Sequence, residues 1–188
     1  MNKTTYLGVK IYKNPLDAWI YQELIFAMRP DIIIEIGNAY GGSTLFLAHI
    51  LDFIGQGKVI GLDLSHKSIP AFIKKHRRIH FIEGDACINV GKVKNFIGKN
   101  DKVLIIEDSA HTYENTLSVL RTYAPLVTKG SYFIVEDSIC HHGLNVGPNP
   151  GPWNAIEAFM EGNHDFVIDR ERESFVITYN PRGFLKRI

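Results

Sequence analysis

Cysteine is scarce in this chain of 188 residues, charge is nearly balanced, and no apolar run is long. The two cysteines, Cys87 and Cys140, have a spacing that suits neither a disulfide framework nor a zinc site, which fits a reducing compartment. A formal net charge of +1 leaves no basic field of the kind that non-specific nucleic-acid binding needs, so no nucleic-acid partner is expected. No apolar stretch approaches the ~20 residues that cross a bilayer, and the first residues lack the apolar core of a signal peptide. A cytoplasmic location with no membrane span is the expectation. Two phosphate-binding signatures are missing as well. The absence of G-x-G-x-x-G disfavours NAD and FAD, and the absence of G-K-[ST] excludes a P-loop. The one dense basic cluster, residues 74–78 (KKHRR), reads either as a solvated helix end before a strand or as a handle for an acidic substrate.

What the chain does have is alternation. Apolar residues make up 45% of it, enough for a substantial core, and helical and strand patterns follow each other with short punctuation. Asn14-Pro15 reads as an N-cap with proline at the first helical position, and Arg29-Pro30 ends the helix that follows. Residues 32–36, 58–63, 79–83, 102–107 and 131–135 read as strands. Helical patterns over 42–54, 67–76, 88–98 and 112–124 lie between them. Residues 140–153 (CHHGLNVGPNPGPW) are too rich in Gly and Pro for a regular element, and a short helix over 154–161 follows. Two closing runs, 165–169 and 174–179, separated by residues 170–173 (RERE), predict an antiparallel hairpin at the sheet edge. The expected fold is α/β: a Rossmann-like, doubly wound, mostly parallel seven-stranded sheet with an antiparallel C-terminal edge hairpin, in one domain over residues 1–188.

Three strand ends carry the chemistry. Open α/β sheets bind ligands at the carboxyl ends of their strands. One end is a glycine turn within Glu35–Thr44 (EIGNAYGGST), where glycines let the backbone turn sharply and the next helix offers unpaired N–H groups to an anion. Alone, such a turn fits a cofactor loop and a plain connector equally. Asp63 follows Gly37 by 26 residues at the end of the second strand, where it can accept from ribose hydroxyls, and residues 84–86 (GDA) offer a polar edge to an adenine. The other two ends are matched carboxylate pairs, in Val103–His111 (VLIIEDSAH) and Tyr132–Ser138 (YFIVEDS). Asp108 precedes Glu136 and Asp137 by 28 and 29 residues, so neighbouring strands would gather three mutually repelling acids. A hard divalent cation such as Mg²⁺ resolves that repulsion, whereas as isolated residues they would serve as helix caps. His111 is the best-placed general base, and His141 and His142 are loop residues.

With these residues assembled, the chain resembles class I S-adenosylmethionine-dependent methyltransferases. In particular it is similar to the cephalosporin-hydroxylase family, which has that fold and includes rhamnosyl and other sugar O-methyltransferases. The similarity runs through Gly8–Asp17, Glu35–Ser43, Asp108–His111, Val135–Asp137, Gly151–Phe159 and Asn180–Arg187. It implies that Glu35, Gly37, Gly41 and Ser43 hold the methionine part of S-adenosylmethionine, Asp63 the ribose, and Asp85 with Ala86 the adenine. Catechol-type O-methyltransferases, by the same kind of resemblance, imply that Asp108, Glu136 and Asp137 hold Mg²⁺ and that His111 is the base. Here His111 stands where that group has lysine, and Asp137 where it has asparagine. The expected activity is methyl transfer to a hydroxyl of a small molecule, a sugar or a natural product. The segment 140–153 with Trp153 is expected to close over this acceptor. Association into a homo-oligomer is expected from the family. The rival readings are a hydroxylase, for which no iron, flavin or haem motif is present, and a cofactor-binding subunit that supports a partner enzyme.

Overall fold

The computed structural model describes residues 4–188. Two short strands, β1 (Thr5–Tyr6) and β2 (Val9–Lys10), pair as a small antiparallel ribbon ahead of helix α1 (Pro15–Met28). Asn14 caps α1 by accepting from Leu16 N–H at 3.1 Å, and Arg29 ends it in a left-handed conformation, φ 48°. Then β3 (Ile32–Ile36), α2 (Gly42–Ile54), β4 (Lys58–Asp63), α3 (Ala71–Lys74), β5 (Ile79–Glu83) and α4 (Ala86–Lys94) follow. The second half comprises β6 (Val103–Glu107), α5 (Tyr113–Tyr123), β7 (Tyr132–Val135), α6 (Pro152–Met160), β8 (Phe166–Ile168) and β9 (Phe184–Arg187).

Seven of the strands form one sheet in the order β5-β4-β3-β6-β7-β9-β8, parallel except at β9 and β8. Alternation along the strands sorts the core into two layers. Ile32, Ile34, Ile36, Val103, Ile105, Phe133 and Val135 pack with Leu117 and Leu120 of α5 and Ile156 and Phe159 of α6. Ile33, Leu104, Ile106 and Ile134 pack on the opposite face with Ile20 and Leu24 of α1, Leu45 and Leu51 of α2, and Ile73 of α3. The continuous apolar runs of β3 and β6 follow from this, because both faces of these strands are covered. The order of connection reverses between β3 and β6, the switch point at which such sheets open a crevice.

The architecture agrees with the sequence reading, with one correction at the edge. Residues 174–179 are not a strand. Asp17 of α1 accepts from Thr178 Oγ1 at 2.6 Å and from Tyr179 N–H at 2.8 Å, which draws this segment onto the helix and leaves Val176 fully exposed. The strand that pairs with both β7 and β8 is Phe184–Arg187, after the turn at Asn180–Gly183, and residues 170–173 form a 3₁₀ turn. Local periodicity could not weigh a buried aspartate 161 residues away. The helix expected over 67–76 is a single turn, and the ribbon β1–β2 was not expected. Among the described residues, no helix is long and apolar enough to cross a membrane, and Cys87 and Cys140 are both free.

The basic cluster lies at the start of β5, away from the crevice. His76, Arg77 and Arg78 all contact Asp52 of α2, at 3.0, 2.9 and 2.7 Å. It is a partly solvated structural cluster rather than a handle for substrate.

Candidate active site

A cavity of about 550 Å³ opens over the carboxyl ends of β3, β4, β5 and β6, well within the ~300–1,000 Å³ range of small-molecule sites. Its walls include Gly37, Ser43, Asp63, Asp85 and Ala86 on one side and Asp108, His111 and Asp137 on the other. Lys10 at the end of β2, with Tyr12 and Lys13 from the segment that links that strand to α1, also lines the cavity. Gly37 has φ 92°, and a Cβ there would lie 1.9 Å from the Asp108 carbonyl oxygen, so only glycine lets the two halves of the crevice meet.

On the glycine side, acids are joined to backbone a few residues away or on the next strand. Asp63 Oδ2 accepts from Asn38 N–H at 2.8 Å and from Ala39 N–H at 2.9 Å, which fastens the turn to β4. Asp85 caps α4 by accepting from Ile88 N–H at 2.9 Å. Gly41 forms the left-handed N-cap of α2, against Ile69 and Ile73, and no side chain caps that helix, which leaves its first N–H groups toward the crevice beside Ser43. Glu35 lies behind the turn rather than on the cavity wall. It is fully buried, accepts from Asn38 Nδ2 at 2.8 Å and from Thr44 Oγ1, and keeps Oε1 without a partner. Burial raises its carboxyl above the usual range. Asn38 in turn meets His66 Nε2 at 3.2 Å, and that ring packs on Phe81.

On the acid side, strand alternation splits each matched pair. Glu107 turns toward α5, where Ser109, Asn115 and Thr116 donate to it. Asp108 turns into the crevice. Glu136 turns toward α1, where it is buried, while Asp137 faces the cavity. Lys13 reaches across the strand ends: its Nζ donates to Asp108 Oδ2 at 2.5 Å and also to Glu136 Oε1. Burial pushes the Lys13 ammonium toward deprotonation, but Asp108, Glu136 and Glu35 outweigh it and hold the amine above the usual lysine range. Burial, with Asp108 beside it, raises the Glu136 carboxyl well above the ordinary range and that of Asp137 as well.

His111 Nε2 lies 3.5 Å from Asp108 Oδ1 and 3.4 Å from Asp137 Oδ2. Asp108, His111 and Asp137 each offer a ligand atom, and these atoms lie within 4.8 Å of one another. His111 and Asp137 both adopt φ 55°, a left-handed conformation that costs non-glycine residues energy and persists where surroundings impose it. At Asp137 the surroundings include Asn180, whose Oδ1 accepts from Asp137 N–H at 3.1 Å while its Nδ2 donates to Tyr21 at 2.8 Å.

The structure thus brings Asp108, His111 and Asp137 together, sets Glu136 one step back against Lys13, and leaves Glu35 and Gly41 beneath the glycine turn. Trp153 meets His142 edge-on at 4.4 Å between ring centroids and lies under Arg182 at 4.9 Å, outside the cavity wall, whereas Pro150 and Gly151 approach the backbone around His111. The roles of Lys13, Asn38, His66 and Asn180 emerge only from the tertiary contacts. For Lys13 the only available signal was an excess of gathered acids with no cation nearby in sequence.

Known proteins resemble this chain in sequence and in fold. A Rhamnosyl O-methyltransferase from Mycobacterium tuberculosis (strain ATCC 25618 / H37Rv) is 38% identical over 195 residues, covering 98% of this chain and 78% of that protein. A Rhamnosyl O-methyltransferase from Mycobacterium leprae (strain TN) is 36% identical, covering 99% of this chain and 84% of that protein. A solved structure of cmcI, described as Mg-SAM, superposes with a TM-score of 0.78 at 21% identity, over 100% of this chain and 77% of that one. An O-methyltransferase from Bacillus cereus in complex with SAH gives 0.65 at 19% identity, over 85% and 74% of the two chains. The two structures share the fold. The family profile Rhamnosyl O-methyltransferase/CmcI matches residues 1–188, and the chain belongs to that family.

Proposed function

We propose that this protein is an S-adenosylmethionine-dependent O-methyltransferase that methylates a hydroxyl of a small molecule, a sugar such as a rhamnosyl group, with the help of a divalent cation. The observation that carries the reading is one crevice with a nucleoside-like cradle at one end and Asp108, His111 and Asp137 at the other. Membership of the Rhamnosyl O-methyltransferase/CmcI family and relatives named Rhamnosyl O-methyltransferase support the acceptor class.

The residues fit both bound groups. Asp63 lines the cavity, and its Oδ1 takes only a long contact from Ser65 N–H at 3.4 Å while Oδ2 holds the turn, so Oδ1 has capacity left for a ribose hydroxyl. Ser43 and the free N–H groups of α2 suit a carboxylate, and Asp85 with Ala86 borders the space left for an adenine. S-adenosylmethionine bound there would supply an electrophilic methyl group. Asp108 and Asp137 are hard oxygen donors suited to Mg²⁺, and burial with mutual repulsion gives them reason to bind it. Glu136 completes the set once its contact with Lys13 is released. Such a cation would lower the pKa of the acceptor hydroxyl.

His111 takes the acceptor proton at Nε2. Asp108 Oδ1 and Asp137 Oδ2, at 3.5 and 3.4 Å, hold that ring nitrogen at the edge of the proposed cation site and orient it toward the acceptor. His111 Nδ1 is buried with no partner, which leaves Nε2 as the atom that serves the crevice. Holding acceptor and methyl donor in line supplies ~7–11 kcal/mol of the acceleration in well-oriented systems. The rigid strand ends and the tether from Asn180 to Asp137 provide that alignment. Calorimetry with S-adenosylhomocysteine and a methyl-transfer assay with rhamnosides test the reading together. Asp108→Ala or chelation by EDTA is expected to lower turnover at least ~100-fold with cofactor affinity nearly unchanged. Full turnover in EDTA would remove the cation from the proposal.

A further inference from the structure

Lys13 is a buried cation among the strand-end acids of the proposed site. Its side chain is 5% exposed, and its Nζ bridges Asp108 on the end of β6 and Glu136 on the end of β7, 95 and 123 residues away in sequence. Those two acids, with Asp137, are the set proposed above for a divalent cation. An oxygen that coordinates Mg²⁺ stands 2.0–2.1 Å from it, and a fixed ammonium on the same oxygen both blocks that approach and repels the ion. The carboxylates therefore face a choice between two cations.

We propose that Lys13 is a tethered competitor of the divalent cation: its ammonium neutralises Asp108 and Glu136 until a divalent cation displaces it. This inference rests on the metal reading above. The geometry gives Lys13 somewhere to go. It lines the 550 Å³ cavity, so its flexible stem can swing into open space without unpacking the core. It also sits directly before the capped start of α1, and the backbone anchor at Asn14 remains in place when the head group leaves. Asp108 Oδ1 and Asp137 Oδ2 already face His111 rather than Lys13, so these two oxygens offer first contact to the cation, and Glu136 joins as the lysine withdraws. Lys13 would thus keep three acids from repelling one another in the free protein and hold metal affinity down. Lys13 is a positioning residue in this scheme, not a proton carrier.

Titration calorimetry with Mn²⁺ at fixed pH compares the wild type with Lys13→Met. The expected result is binding roughly tenfold or more tighter in the variant, since a fixed positive charge beside the ion is gone. A second measurement uses the wild type alone and does not depend on how the variant folds. Reductive methylation of Lys13, followed by mass spectrometry, is expected to be slow in EDTA and faster at saturating Mn²⁺. Normal Mn²⁺ binding by the wild type with equal or weaker binding by Lys13→Met, or with Lys13 labelling unchanged, overturns the competition alone. Failure of both proteins to bind Mn²⁺ overturns the metal reading with it.

Discussion

The two halves of the crevice use the same residue type at the same kind of place with opposite results. On the glycine side, Asp63 and Asp85 sit at strand ends and accept backbone N–H groups at 2.8–2.9 Å from the nearby turn and helix. On the acid side, Asp108, Glu136 and Asp137 also sit at strand ends, but Lys13, His111 and the Tyr21 hydroxyl are their side-chain partners, and they repel one another. The first set is satisfied by its own backbone and fastens the turn and the helix start. The second is left electrostatically unfinished, and burial raises the Glu136 and Asp137 carboxyls because too few positive charges reach them. A strand-end carboxylate shapes the chain when backbone donors are at hand, and becomes available for chemistry when they are not.

Three experiments break or sharpen this contrast. The largest effect is expected at the seam. Gly37→Ala places a Cβ 1.9 Å from the Asp108 carbonyl oxygen in a backbone at φ 92°, and urea unfolding should show a loss of more than ~3 kcal/mol. Gly55→Ala is the control, at φ 89° with open space around the new Cβ, and should lose only ~1–2 kcal/mol. Equal losses would mean that the halves do not depend on that close approach.

Next comes Asp63→Asn, which leaves the fold but weakens its hold on the glycine turn and on a ribose hydroxyl. Calorimetry should give S-adenosylhomocysteine binding ~10-fold weaker, the size of one modest hydrogen-bond loss, with turnover at saturating cofactor little changed. A collapse of turnover with unchanged binding would reverse the roles assigned to the two sides.

The smallest effect concerns His66, which supports Asn38 beneath the turn. Burial lowers its pKa below the ordinary histidine value. The neutral ring is therefore the one the fold prefers, and its stabilisation is present above ~6.5 and fades as pH falls through that value toward the lower folded one. Thermal melts from pH 7.5 to 5.5 should show His66→Gln losing less stability than the wild type. Parallel curves would place the pH sensitivity elsewhere.

Much of this molecule was legible in the order of its residues. The strands β3, β4, β5, β6 and β7 follow from apolar runs of strand length, and the glycine turn and acid-ended strands name the two sides of the crevice, because these patterns are local and the rules that read them act over a few residues. The edge strand was misplaced because Asp17 competes for Thr178 and Tyr179 from the other end of the chain. The site was blurred for the same reason. Strand alternation sends Glu107 to α5 and Asp108 to the crevice, Glu136 to Lys13 and Asp137 to His111, and two neighbouring letters do not reveal which face each strand end presents.

By itself, then, the sequence determined the α/β alternation, the glycine turn and the presence of acids at the strand ends. Only the tertiary structure decided which acids meet and which cation already stands among them. The reason is physical: patterns of burial and turn formation act between near neighbours, whereas charge acts through space, and folding alone brings Lys13 to Asp108 and Glu136.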